Sequence, residues 1–205
     1  MIKGLSIPVI ADYKNEDGTV SYENPIVADH AVSYGISWTT SDNNAGYADN
    51  GIQENEKGSF QNGELTLGTA DLPQDISKRL LGSKVGEEIE FGPTDGKISV
   101  QEQVYDDDMS SPYLGFGIIE MHEIDGVTKY RPIWLHKVYF NIPEEAAETK
   151  GESVEWQTRE ITGQIMRSDQ ADNNLKHPWM TDAWTETESD ALEYLLWKGG
   201  KTYQS

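Results

Sequence analysis

The chain has 205 residues and a formal net charge of −20, from 36 Asp and Glu against 16 Lys and Arg. So acidic a surface repels nucleic acid through its phosphates, and an anionic membrane surface for the same reason. Cysteine is absent, which excludes disulfides, thiolate zinc sites and cysteine nucleophiles. The charge leaves two readings open, plain solubility or a surface that must not adhere to a polyanion. Six Trp and ten Tyr supply much of the capacity for burial, and the length suits one domain with a real core. Met1-Ile2-Lys3-Gly4 opens no apolar stretch of the signal-peptide kind, and no apolar run reaches the ~18 residues of a membrane helix.

Period-two alternation dominates the chain. A strand over 7–13 runs into Asn15-Glu16-Asp17-Gly18, a hairpin turn signal, and returns over 19–22. Over 32–39, Val32, Tyr34, Ile36 and Trp38 alternate with Ser33, Gly35, Ser37 and Thr39. Such a strand has one apolar face and one small, polar face. A polar loop over 41–46 precedes strands at 47–56 and 59–69. The pattern changes over 71–82, where Ile76 and Leu80 recur at helical spacing behind Asp71 as cap and before Gly82 as stop. Strands resume after Lys84, at 98–104, 113–121 and 130–140, with Asp95-Gly96 and Asp125-Gly126 as turns. A further strand covers 154–166, with a bulge between Trp156 and Ile161. Residues 168–184 read as irregular. Thr185 and Glu188 form a capping box for a helix that ends at Gly199. The sum is one mainly β, β-sandwich-like domain with two short helices and extended loops.

Signals for chemistry are sparse. His30, His122, His136 and His177 fall in no metal-ligand spacing, so no metal is expected. Gly199-Gly200-Lys201-Thr202 lacks the leading glycine of a phosphate loop, since Leu195 stands there. Gly115-Phe116-Gly117 lacks the third glycine of a dinucleotide turn. Asp106-Asp107-Asp108 lacks calcium-loop spacing and reads as a solvated acidic loop. No catalytic residue and no cofactor is expected. A hydrolase with two carboxylates stays open, because that geometry is set in three dimensions.

One segment points further. Residues 148–163 read Glu-Thr-Lys-Gly-Glu-Ser-Val-Glu-Trp-Gln-Thr-Arg-Glu-Ile-Thr-Gly. In physical terms this is a glycine turn at Lys150-Gly151 followed by a strand anchored by Trp156. The segment resembles the signature of the major tail proteins, the tail tube family of long, non-contractile-tailed phages. Four other stretches resemble elements of that family in the same order. They are Tyr47-Ala48-Asp49-Asn50, Thr69-Ala70-Asp71-Leu72-Pro73, Gly115-Phe116, and residues 134–140 with Pro143-Glu144-Glu145. Residues 1–30, read as an amino-terminal arm or hairpin, and 168–184, within a carboxy-terminal extension over 168–205, resemble it less.

The resemblance implies a sandwich flanked by a short helix, with a long hairpin lining a lumen and terminal arms bridging rings. It implies a virion protein assembled in the host cytoplasm into hexameric rings stacked as a tube. Its partners would be further copies of itself, a tape-measure protein, and the tail-tip and tail-terminator proteins. DNA would be met only in transit at ejection, and no membrane would be bound. With the alternation, the resemblance puts the lumen hairpin at 32–69. Glu54, Glu56 and Glu64 are the candidate acidic lining, and Asp42 and Asp49 the candidate inter-ring loop. The alternative from a different class is a carbohydrate-binding sandwich module of a virion, motivated by the six Trp and the polar loops.

Overall fold

The computed structural model describes residues 1–28, 31–41, 44–48, 51–56, 58–70, 73–93, 95–143 and 159–203, with 44–48, 51–56 and 159 described through their backbone. Two pairs of turn residues organise its first and its central hairpins. Strands β1 (Ile2–Glu16) and β2 (Thr19–Val27) meet at Asp17 and Gly18, whose φ values are 50° and 84°. Strands β9 (Leu114–Ile124) and β10 (Val127–Phe140) meet at Asp125 and Gly126, at 51° and 77°. Positive φ at both central residues is what a tight type I′ connection requires, and its twist matches that of the strands. Asn15 tightens the first turn, its Oδ1 accepting from the Gly18 amide at 3.0 Å.

The remaining strands are β3 (Ala31–Thr40), β4 (Asn44–Ala48), β5 (Gly51–Glu56), β6 (Phe60–Thr69), β7 (Lys84–Phe91), β8 (Ile98–Val104), β11 (Arg159–Met166) and β12 (Met180–Asp182). The main sheet is antiparallel throughout, in the order β2-β1-β9-β10-β11-β6-β3, with β12 added beside β10. It curls until β3 lies alongside β1, without a hydrogen-bonded ladder between them among the described residues. One half of the sheet thereby packs over the other, as a β-sandwich-like domain.

Four local differences from the sequence pattern have physical causes. The strand expected over 47–56 is two strands, β4 paired antiparallel with β5, with 49 and 50 between them outside the described residues. The polar residues 44–46, expected in a loop, join β4 because the partner strand satisfies their backbone. Helix α2 (Glu188–Lys198) is capped by Thr187, whose Oγ1 accepts from the Asp190 amide at 3.1 Å. Thr185 cannot serve, because its backbone is still paired with Tyr130, at 2.8 and 3.0 Å. Within 168–184, read as irregular, β12 pairs with Ile133, Trp134 and Leu135. Helix α1 (Gln74–Leu81) starts from Pro73 without a side-chain cap and stops at Gly82, where φ is 71°. Asp71, the cap expected from sequence, lies outside the described residues, as do 148–158 with Trp156.

Alternation sorts the side chains of β9 and β10 to two opposite packings. Leu114, Phe116 and Ile118 face the interior with Leu135, Val138 and Phe140, against Leu65, Ile161 and Ile165 of the facing half. Leu80 and Leu81 of α1 plug one end of this interior. A bulge between Leu135 and Val138 keeps both residues inward-facing. Val9, Ala11, Ile119 and Trp134 point the other way, where Ala191 and Leu195 of α2 cover them. A Cβ on Gly115 would stand 2.4 Å from the Trp134 ring, and one on Gly117 would stand 2.9 Å from Leu195. The pair of glycines therefore lets the indole and then the helix lie close on β9.

Candidate functional site

Among the described residues, no helix lies on the outer face of β3, β6 and β11. Opposite residues on that face pair as Ser37 with Glu64, Gly35 with Thr66, and Ser33 with Gly68. The ladder continues from Glu64 to Gln164, from Thr66 to Thr162, and from Gly68 to Glu160. Their inward neighbours Leu65, Leu67, Ile161 and Ile165 are buried, so this outer set is small, polar or acidic. Glu64 and Glu160 are exposed, and among the described residues neither has an ion pair. Ser33 lies so close over Gly68 that a Cβ there would come within 2.3 Å of its Oγ.

Beyond the end of the β3–β6 ladder one further pair of backbone contacts is made. The Ser41 amide donates to Ser59 O at 2.8 Å, and the Ser59 amide donates to Ser41 Oγ at 2.9 Å. This rung follows the Thr40–Phe60 end of the β3–β6 ladder, and the β4–β5 ladder begins from Asn44–Glu56. Within the hairpin expected over 32–69, β3 thus pairs with β6 and β4 with β5, and residues 42, 43 and 57 between the two pairs lie outside the described residues. Glu56 stands opposite Asn44 and Glu54 opposite Gly46, two residues apart on β5. Asp42 and Asp49 lie outside the described residues.

Where β3 meets β6 at the base of that hairpin, aromatic rings gather. Phe60 and Trp179 stack at 4.5 Å with planes 4° apart, and Trp38 meets Phe60 edge-on at 5.8 Å. The Arg167 guanidinium lies 5.9 Å over Phe60 and donates to its carbonyl oxygen. Trp38 sits over Gly63, where a Cβ would approach its ring to 2.7 Å. Sequence reasoning missed this cluster, because residues 38, 60 and 167 are joined by the pairing of β3, β6 and β11, and Trp179 is brought there by the pairing of β12 with β10.

A second feature it missed lies inside the curl. Glu120 is only 5% exposed. Tyr34 of β3 donates to its Oε1, His122 Nε2 lies 2.9 Å from its Oε2, and Arg131 lies 3.3 Å away while holding Asp182 at 2.6 Å. Burial alone would raise the Glu120 carboxyl, but donation from Tyr34 and His122 and the charge of Arg131 hold it below the usual range. Burial, and then Glu120 itself, push the Tyr34 hydroxyl upward. A signal was available, since Glu120 continues the inward parity of Leu114, Phe116 and Ile118, and Arg131 is its cross-strand partner. The network borders an open cavity of about 840 Å³ between β1 and β3, with Leu5, Ile36 and Ile133 in its wall. Its members already satisfy one another, so its chemistry is that of a tie across the curl. Among the described residues, no cluster of three or more His, Asp or Glu side chains is arranged to hold a metal ion.

No model of a known protein family matches this chain, and no curated protein matches it.

Proposed function

We propose that this chain is a non-catalytic structural subunit of a phage tail tube, assembling with copies of itself into hexameric rings stacked around a lumen that conducts genome DNA. The observation that carries the proposal is the outer face of β3, β6 and β11, bare of helices among the described residues, which presents Ser33, Gly35, Ser37, Glu64, Thr66 and Glu160. A small-residue, acidic wall on a chain of net charge −20 repels phosphates and offers DNA no adhesive contact. Closure of subunits into a ring would also protect the free edge of β3, and stacking of rings is the open assembly that heterologous contacts produce. In this proposal Glu54, Glu56 and Glu64 of the hairpin line the lumen and Asp42 and Asp49 meet the next ring, and the pairing of β11 with β6 adds Glu160 to the same wall. The partners are those of a tail tube, the tape-measure protein within it and the tail-tip and tail-terminator proteins at its ends.

Negative-stain microscopy of the purified chain over a rising concentration series tests the proposal. Rings and tubes are the expected result, and a compact monomer at every concentration would overturn it. A reconstruction of the tube with Glu64 and Glu160 on its outer wall would reject the lining role alone.

A further inference from the structure

The pocket beside the aromatic cluster has a charge opposite to that of the chain. It is open to solvent, holds about 680 Å³, and is walled by Trp38, Phe60 and Trp179 together with Arg167, Lys176 and His177. Among the described residues no carboxylate lines it, and neither Arg167 nor Lys176 has an ion-pair partner. Acids outnumber bases by more than two to one in this sequence. Two cations left without a carboxylate in so acidic a chain mark a place for an anion from outside.

The walls suit a flat apolar ring face as well as a charge. Phe60 is buried and stacks on Trp179, which is still 37% exposed, and Trp38 is 41% exposed. The two indoles thus offer apolar surface at the pocket. Arg167 is held in place by the Phe60 ring and by its bond to the Phe60 carbonyl. Among the described residues no other N–H of its guanidinium is engaged, so the rest of the fork is free for a carboxylate.

Lys176 and His177 belong to the loop over 167–179 that joins β11 to β12. That loop fixes His177 closely, at a φ of 49°, with its amide donating to Gln170 O at 2.7 Å and its Nδ1 lying 3.0 Å from Ser168 O. A carbonyl oxygen only accepts, so Nδ1 carries the proton and the neutral ring presents Nε2 as an acceptor, the partner a hydroxyl needs. Thr40 and Ser59 add hydroxyls of their own to the lining.

We infer that this pocket binds an acidic sugar, a pyranose bearing a carboxylate, presented by a glycan. The C–H face of the sugar lies on the indoles, its carboxylate meets Arg167 and Lys176, and its hydroxyls meet His177, Thr40 and Ser59. Aromatic rings beside cations are also what a single-stranded nucleic acid uses. Here Phe60 and Trp179 are already stacked at 4.5 Å, which leaves no gap for a base between them. A phosphate at every residue would also meet the repulsion of the surrounding acidic surface. A glycan with an isolated carboxylate places its charge in the pocket and little beyond it. The site stands on its own lining and does not require the assembly proposed above.

The test measures binding of the purified full-length chain to an array of oligosaccharides ending in uronate or sialate, their counterparts with the carboxylate reduced to an alcohol, and an oligothymidylate. The acidic glycans are expected to bind above their neutral counterparts, and less well as salt is added. Arg167→Lys keeps the charge and removes the fork, and should weaken binding at least about tenfold. Lys176→Gln should lower affinity for the acidic glycans, and Trp179→Ala should abolish it. Trp197→Ala, at a residue 56% exposed on α2, should change nothing. If Trp179→Ala fails to fold, Arg167→Lys and Lys176→Gln decide, both being at exposed positions. No binding to any acidic glycan, equal binding to the neutral counterparts, or full affinity in both of those variants overturns the acidic-sugar site. Binding to the oligothymidylate above every glycan overturns it in favour of single-stranded nucleic acid.

Discussion

Two stretches of the same sheet treat their outer faces in opposite ways. On β1, β9 and β10 the outward set is Val9, Ala11, Ile119 and Trp134, and α2 buries it under Ala191 and Leu195. On β3, β6 and β11 the outward set is Ser33, Gly35, Ser37, Glu64, Thr66 and Thr162, and among the described residues no helix covers it. The inner faces of both stretches are equally apolar. Alternation alone is therefore the same signal in both places. What separates a layer interface from a bare wall is the size and polarity of the second parity class.

The comparison is broken most severely on the covered side. Trp134 is fully buried between β9 and α2, so Trp134→Ala should cost about 4 kcal/mol, read as a lowered urea midpoint. A loss under 1 kcal/mol would mean that the helix does not depend on this surface.

The covered side should also be the acid-sensitive side. His136 is buried there, its ring 3.1 Å from the Tyr22 hydroxyl through Nδ1, and its Nε2 without a partner among the described groups. Burial, and after it the charge of Lys198, lowers its pKa from 6.5 to about 4. The unfolded chain therefore binds this proton at higher pH than the folded one does. Stability is complete above pH 6.5 and drains away as the pH falls toward about 4, by on the order of 3 kcal/mol. Stability measured at intervals through this window should slope less for His136→Gln than for the wild type. Equal slopes would assign the acid sensitivity elsewhere.

Inside the curl, Glu120→Gln removes the charge that Arg131 faces and puts an amide N–H2 where one oxygen accepts from His122 and Arg131, for an expected loss of about 2 kcal/mol. If Arg131 and Asp182 suffice without it, the loss will be within error. The smallest effect belongs to the bare wall. Glu64→Gln is exposed on a face with no covering layer, so stability should change by no more than about 0.5 kcal/mol. A large loss there would show that the face is packed and not a wall.

The strands of both stretches were legible because alternation is a local property. The tight turns at Asp17-Gly18 and Asp125-Gly126 were legible because few residue pairs tolerate positive φ twice. Long-range pairing was not. Strand β12 carries no apolar pattern of its own and exists because β10 offers it an edge. Thr187 caps α2 in place of Thr185 because a ladder elsewhere has claimed Thr185. For the candidate wall, Glu64 was read from the parity of Leu65 and Leu67, whereas Glu160 emerged only when β11 was seen beside β6. The cluster of Trp38, Phe60 and Trp179 draws on residues more than a hundred positions apart, which no window along the chain can join.

The seam between β1 and β3 has a mechanical consequence. Neighbours along the main sheet are joined by ladders of hydrogen bonds, but among the described residues none spans this gap, and β3 is tied past β1 to β9 by side chains, Tyr34 on Glu120. Ladders resist shear through many bonds loaded together, whereas a seam opens one contact at a time. The body is thus a split ring, stiff around most of its girth and compliant along one line, and under load it widens there before any strand is lost.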